Sequence, residues 1–370
     1  MARQVVQNVL IYKSGGNPFG EDVAIDDYVE YKADILVALK EPWMFDQIYR
    51  YAVNFVPFAI IDHSPVSPLI TSRLRTAFKV IAVSRFGQRE LKRAEIDSVY
   101  IPHAVRTDVF RPMEDRALCR KKFYFQPDDF IVLYVGWNRV RKMIPRMLRG
   151  YKRFLELNPD IKNAHFMLWT PVMGGQPSDE AMAMGVSDSG VNLLPEIGEL
   201  GIGGPPNDVR WMNPKDFDKL MDMGGLPDCD PGGGQDMVSL YNAADVVFGC
   251  TGGEGFWLVG LEAQASGVPV VVTDYAAAPE IVGAGLTVPA NDYDIINTPG
   301  TRFYKADIDK MAEALTKIYN ADREKLTRRA RSFAERYSWE NVMKQYWEPF
   351  LLECEQELRP LIRKEGISHW

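Results

Sequence analysis

The sequence is poor in cysteine, with four residues (Cys119, Cys229, Cys250 and Cys354) scattered along the chain and no Cys-x-x-Cys pair. That spacing argues against a disulfide framework and against a structural zinc site. Histidine is equally scarce, four residues with none in a ligand-spaced pair, so a metal site built by the protein is not expected. Long apolar runs are missing as well. Nothing approaches the roughly 18 residues that span a bilayer, and the longest candidates, such as residues 54–61, are broken by Pro57 or by charge. The start, Met-Ala-Arg-Gln, lacks the apolar core of a signal peptide, which leaves cytoplasmic residence as the default. Positive charge is not in excess either. At a net charge of −7 the bulk electrostatics gives no reason to expect a nucleic-acid partner.

What is present describes a globular protein: 46% hydrophobic and 25% charged residues over 370 positions. That length exceeds one ordinary core and calls for two domains of about 100–200 residues each. Short runs rich in Val and Ile at residues 8–12, 34–39, 57–61, 79–83, 130–135, 165–169, 245–248 and 268–272 are candidate buried strands. Stretches of helical period, among them 85–94, 144–157 and 256–266, separate them. Strands alternating with helices predict parallel sheets covered on both faces, an α/β fold. A boundary falls near 101–112, bracketed by Pro102 and Pro112, and divides the chain into residues 1–108, 109–335 and a helical tail, 336–370, expected to pack back toward the first domain. Residues 171–235, rich in Gly, Pro and Asp, read as insertions or loops.

Two segments carry chemistry. The run at 130–135 ends in Gly136-Trp-Asn-Arg139-Val-Arg141-Lys142, a strand opening into a Gly turn followed by three cations. Ligands of open α/β sheets sit at the carboxyl ends of strands, and Arg and Lys pair well with phosphate oxygens. A solvated basic helix start is the alternative. The second segment is the strand at 245–248, a glycine-rich turn through Gly253, and Glu254-Gly255-Phe256-Trp257-Leu258 opening a helix that carries Glu262. Unpaired amides at a helix N-terminus can hold a pyrophosphate if glycines let the backbone approach. Carboxylates repel phosphate, so Glu254 and Glu262 are expected to bind hydroxyls, of a sugar or a ribose. Taken alone, either carboxylate could be a surface helix residue. Glu262, however, lies among apolar and small residues, and a buried carboxylate needs a partner.

The stretch Thr251-Gly-Gly-Glu-Gly-Phe-Trp-Leu-Val-Gly-Leu-Glu262, with Gly267-Val-Pro-Val-Val-Val-Thr-Asp274 and Pro279-Glu280, resembles the Glu-x7-Glu signature of glycosyltransferase family 4. The segments at 82–91, 101–112, 237–245 and 337–342 resemble other parts of the family, so the likeness runs over roughly residues 55–350. It implies the GT-B fold, two Rossmann-like domains with parallel sheets facing across a cleft, and a retaining, nucleotide-sugar-dependent hexosyltransferase. Glu254 would contact the donor sugar and Glu262 the ribose. Amides of Phe256, Trp257 and Leu258 would hold the diphosphate beside Gly136, Gly253 and Gly255, with Arg139 and Lys142 neutralising it. No metal or other cofactor is implied, and the partners are a nucleotide-sugar donor and a saccharide, lipid-linked or other hydroxyl acceptor. His63 matches the histidine that faces the donor sugar; a satisfied turn residue is its alternative reading. Catalysis would rest on positioning and charge stabilisation, the leaving phosphate taking the acceptor's proton.

Departures from the pattern are visible. Trp137 stands where the family has Arg, so that Arg139 and Arg141 compete for that role. Trp257 replaces a Gly, a bulk expected to narrow the pocket or to select base or sugar. The N-terminal domain looks reduced, without the opening strand-helix unit, as in a shortened member or a fragment with a new start. Two other activities share the pattern: a non-catalytic nucleotide-sugar-binding protein and a nucleotide-sugar 2-epimerase. A Rossmann dehydrogenase is disfavoured, because no Gly-x-Gly-x-x-Gly follows a strand. Arg73, Arg75, Lys79, Arg85, Arg89, Lys92 and Arg93 suggest either peripheral membrane contact or a solvated helix face.

Overall fold

The computed structural model describes residues 4–6, 9–11, 15–17, 20–174, 190–211, 235–296 and 301–364. Two compact units divide the chain: Met1–Ile101 with Lys344–Trp370, and Pro102–Met343.

In the first unit, β1 (Gln4–Val6) and β2 (Val9–Ile11) form a two-stranded antiparallel ribbon. The run at 8–12 therefore does not join the parallel sheet as expected; residues 8 and 12 lie outside the described ones. The two strands are only a turn apart in sequence, too close for the crossover that parallel pairing requires. The parallel sheet is β3 (Leu36–Ala38), β4 (Phe55–Ala59), β5 (Ile81–Ala82) and β6 (Val99–Tyr100), in that order. The helix Arg85–Arg93 starts at Ser84, whose hydroxyl accepts from the Gly87 amide. The final helix, Glu348–Lys364, belongs to the same unit, where Glu353 and Glu357 take the Lys79 ammonium at 2.8 and 2.5 Å.

The second unit is built on six parallel strands: β7 (Phe130–Val135), β8 (Ala164–Trp169), β9 (Val209–Trp211), β10 (Val246–Gly249), β11 (Val270–Thr273) and β12 (Gly285–Val288). Their order is β12-β11-β10-β7-β8-β9. Strands β7, β8, β10 and β11 are buried at every position, as Val-rich strands covered on both faces must be. Helices Ile144–Leu157 and Ile308–Tyr319 pack on the sheet through Met147, Leu148, Tyr151, Met311 and Leu315, all without solvent exposure. Each such side chain contributes roughly 1.5–3 kcal/mol when buried. An antiparallel hairpin, β13 (Ala290–Ile296) and β14 (Thr301–Ala306), follows β12. Its strands are too polar to read as strands in the sequence.

The chain runs outward from β7 to β9, returns to the other side of β7 as β10, and then runs outward to β12. The switch point of this doubly wound sheet is thus the β7–β10 junction, where Val132 faces Val246 and Leu133 faces Val247. Chain reversal there opens a crevice at the carboxyl ends of the two strands.

Candidate functional site

The loops leaving β7 and β10 are the two segments singled out in the sequence, and hydrogen bonds knit them together. The Gly252 amide donates to the Arg141 carbonyl at 2.8 Å, and the Tyr304 amide of the hairpin donates to the Gly252 carbonyl at 2.9 Å. A Cβ at Gly252 would lie 2.7 Å from the Phe303 Cβ, so only glycine permits this approach. Beyond β7, Asn138 is buried and braces the loop: its amide nitrogen donates to the carbonyls of Pro171 (2.8 Å) and Val191 (2.6 Å), and its Oδ1 accepts from the Val191 amide at 3.2 Å. A short 3-10 turn, Val140–Lys142, then points Arg141 and Lys142 at the β10 loop. Asn138→Ala is expected to lower the midpoint of thermal unfolding by several degrees, because the carbonyls of Pro171 and Val191 lose the donor that a buried side chain supplies, at about 1–3 kcal/mol; differential scanning calorimetry reads it directly.

Glu254 receives these cations. Its carboxylate lies 2.6 Å from Lys142 Nζ and 3.3 Å from an Arg141 guanidinium nitrogen, with a side-chain exposure of only 7%. The Glu254 carbonyl accepts from the Ala277 amide at 3.1 Å, and Thr273 Oγ1 donates to the Thr251 carbonyl at 2.5 Å, which ties the loop to β11. Burial pushes the Glu254 carboxyl up, but Lys142, Arg141 and the hydrogen bonds from Lys142 and Thr251 outweigh it and hold it below its ordinary value. The group stays ionised and clamped.

Arg139 sits differently, its guanidinium 5.8 Å from the centre of the Trp137 ring. Of the two arginines that competed for the cationic role, Arg141 is the one beside Glu254.

Glu262 lies in the helix Leu258–Ala265, which begins two residues later than its pattern suggested. Trp257 delays it by adopting a left-handed backbone, φ 77°, at the N-cap. The Trp257 indole is buried between two glycines: an added Cβ would come within 2.1 Å of its ring at Gly249 and again at Gly260. Phe256 is buried edge-on to His103 (5.1 Å), whose ring burial pushes to a pKa of about 4. Leu258 is 40% exposed at the helix start, where the Gly260 amide of the first turn donates to the Trp257 carbonyl at 3.1 Å. Gly253 and Gly255 flank Glu254 in the same loop, and Gly136, at φ 146°, opens the β7 loop.

Burial pushes the Glu262 carboxyl up to about 7, against a hydrogen bond from the Tyr241 hydroxyl at 2.7 Å that pulls it down. Its ordinary value is 4.5, so between pH 4.5 and about 7 the folded protein holds a proton there that the unfolded chain releases. This contribution to stability is fully present below the unfolded value and is lost as pH rises through the folded one. Thermal unfolding of the wild type relative to Glu262→Gln should therefore shift downward across that window. A difference independent of pH would contradict it.

In the first unit, His63 is buried just past β4, with Nδ1 2.7 Å from Asp62 Oδ1. Its Nε2 is buried without a hydrogen-bond partner among the described residues, an arrangement that costs free energy unless something accepts or donates there. The basic residues of this unit are largely engaged: Arg73 with Asp46 (2.8 Å), Arg93 with Glu90 (2.5 Å), and Arg85 over Tyr100 (3.8 Å). Among the described residues, no helix is long and apolar enough to cross a membrane, and no group of His, Cys, Asp and Glu could hold a metal ion.

Comparison with known proteins places the second unit. Residues 213–320 match the family model described as Glycosyl transferases group 1. The chain is 30% identical over 250 residues to D-inositol 3-phosphate glycosyltransferase of Saccharomonospora viridis, covering 64% of this chain and 48% of that protein. Against the enzyme of the same name from Actinosynnema mirum it is 27% identical over 267 residues, 72% of this chain and 53% of the other. The chain spans about half the length of the curated relatives it matches. Among solved structures, sucrose-phosphate synthase from Thermosynechococcus elongatus aligns with a TM-score of 0.62 at 19% identity over 93% of this chain and 77% of that one. Alpha,alpha-trehalose 6-phosphate synthase from Burkholderia multivorans aligns at 0.60 and 11%, over 93% and 75%. The fold is that of the GT-B glycosyltransferases.

Proposed function

We propose, from the group 1 glycosyltransferase domain that this chain carries on a GT-B fold, that it moves a sugar from a nucleotide-diphosphate donor to a hydroxyl acceptor with retention of anomeric configuration. The observation that carries this reading is the clamp of Glu254 by Lys142 and Arg141 at the switch point of the sheet. Cations from one loop and a helix N-terminus after the other lie at the same end of the sheet, a combination suited to a diphosphate. A carboxylate among them is suited to accept hydrogen bonds from sugar hydroxyls. Held ionised between two cations, Glu254 is a poor nucleophile, which favours displacement on one face. There the bond from the anomeric carbon to the phosphate oxygen breaks as the bond to the acceptor oxygen forms, and the departing phosphate takes the acceptor's proton. Arg141 and Lys142 would stabilise the charge on that phosphate.

Glu262, deeper along the helix and hydrogen-bonded to Tyr241, would bind the ribose, as the resemblance assigns. His63, whose Nε2 has no hydrogen-bond partner among the described residues, would face a sugar hydroxyl, as the resemblance assigns.

The first experiment is a thermal-shift screen against UDP, GDP and ADP. One of them should raise the unfolding midpoint by mass action, and the corresponding nucleotide sugar should be hydrolysed or transferred. No response to any diphosphate, together with no turnover against an acceptor panel, would exclude the reading.

A further inference from the structure

An arginine-rich surface groove runs along the helix Arg323–Glu335 of the second unit. This helix carries Arg328, Ser332 and Arg336 at intervals of four, so they form one stripe along its surface. Arg329 and Phe333 form the neighbouring stripe and meet the backbone at Val282 and Gly283, which leads into β12. Together these groups line a surface groove of about 510 Å³. Gly283 makes the groove possible. A Cβ there would lie 2.1 Å from the Phe333 ring, so only glycine lets the backbone rest against that ring.

The guanidinium groups are oriented as well as gathered. Arg329 donates to the Gly283 carbonyl at 3.2 Å, and the Arg336 guanidinium lies 4.5 Å from the centre of the Phe333 ring. Arg328 pairs with Glu324 at 3.4 Å, but both side chains are more than two-thirds exposed, and a pair of that kind is held weakly. Three arginines therefore converge over an apolar floor of Phe333 and Val282, in a protein whose net charge is −7. Carboxylates would be expected to share so basic a face if it served only solubility, yet none lines the groove. Guanidinium forks match phosphate oxygens bidentately, and the floor suits an organic portion attached to the phosphate.

We infer that this groove binds a phosphate-bearing ligand through Arg328, Arg329 and Arg336. The inference does not depend on the proposed transfer activity. The test compares the full chain with the Arg328→Gln/Arg329→Gln/Arg336→Gln variant, using inorganic pyrophosphate as one probe and vesicles of phosphatidylglycerol in phosphatidylcholine as the other. Pyrophosphate should shift the arginine side-chain Nε–H resonances of the wild type, and its affinity in the variant should fall by roughly tenfold or more. The variant's response to nucleoside diphosphates should stay unchanged, which separates this groove from the loops at Glu254. Vesicle binding at low salt that is lost in the variant identifies a lipid headgroup as the source of the phosphate; pyrophosphate binding without vesicle binding identifies a soluble ligand. Equal behaviour of wild type and variant toward both probes overturns the proposal.

Discussion

Glu254→Gln is expected to lower turnover by about 10²–10³-fold while nucleoside diphosphate affinity changes only a few-fold. The amide keeps the shape of the side chain but removes the charge that Lys142 and Arg141 hold at 2.6 and 3.3 Å. The two cations are then no longer restrained by a shared anion, so the precision of the diphosphate's placement suffers more than its binding. A carboxylate also accepts stronger hydrogen bonds from sugar hydroxyls than an amide does. On the proposed reading the two effects would fall on the reacting sugar and leave binding of the nucleoside nearly unchanged. Steady-state kinetics with the donor identified by thermal shift, beside calorimetric titration of the nucleoside diphosphate, separates them. Wild-type turnover in the variant would remove Glu254 from the site. Loss of a partner for two partly buried cations should also destabilise the fold, so activity is to be read well below the variant's unfolding midpoint.

The second large effect concerns Trp257. Gly249→Ala and Gly260→Ala are each expected to destabilise the protein by about 1–3 kcal/mol, because the new methyl group would overlap the indole. At both glycines the overlap is with the six-membered part of the ring, within 2.1 Å. Trp257→Phe removes those atoms. It should cost stability alone, through the space it leaves, yet relieve part of the Gly260→Ala penalty when the two are combined. Equilibrium denaturation of both single variants and the double variant measures that coupling. Additive penalties would mean that the ring and the glycines do not meet as described.

The sequence was most legible where a pattern was both long and local. The helix Ile144–Leu157 and the strand Phe130–Val135 lie where periodicity and an unbroken apolar run put them. Both carboxylates of the signature lie in the β10 loop and the helix after it, because strand, glycine turn and helix are consecutive in the chain. Other features depend on residues far apart. Tyr241 holds Glu262 from 21 positions away, and Asn138 bonds to Val191 across 53. The choice between Arg139 and Arg141 turns on a single 3-10 turn, whose rotation decides which side chain meets Glu254. Hairpin β13–β14 escaped notice because Asp292, Asp294 and Lys305 make its strands polar, with none of the Val- and Ile-rich runs that mark the buried parallel strands. Nothing in the local sequence says that Gly249 and Gly260 make room for the Trp257 ring.

That last arrangement bears on how such a loop can change over time. A tryptophan with φ 77° carries backbone strain of roughly 1–3 kcal/mol, and it is tolerated only while Gly249 and Gly260 both remain glycine. The three positions therefore form one unit of inheritance. A lineage could lose the tryptophan first and the glycines afterwards, but the reverse order passes through unstable intermediates. Among descendants of this chain, side chains larger than glycine at 249 or 260 should appear only where 257 has already become smaller.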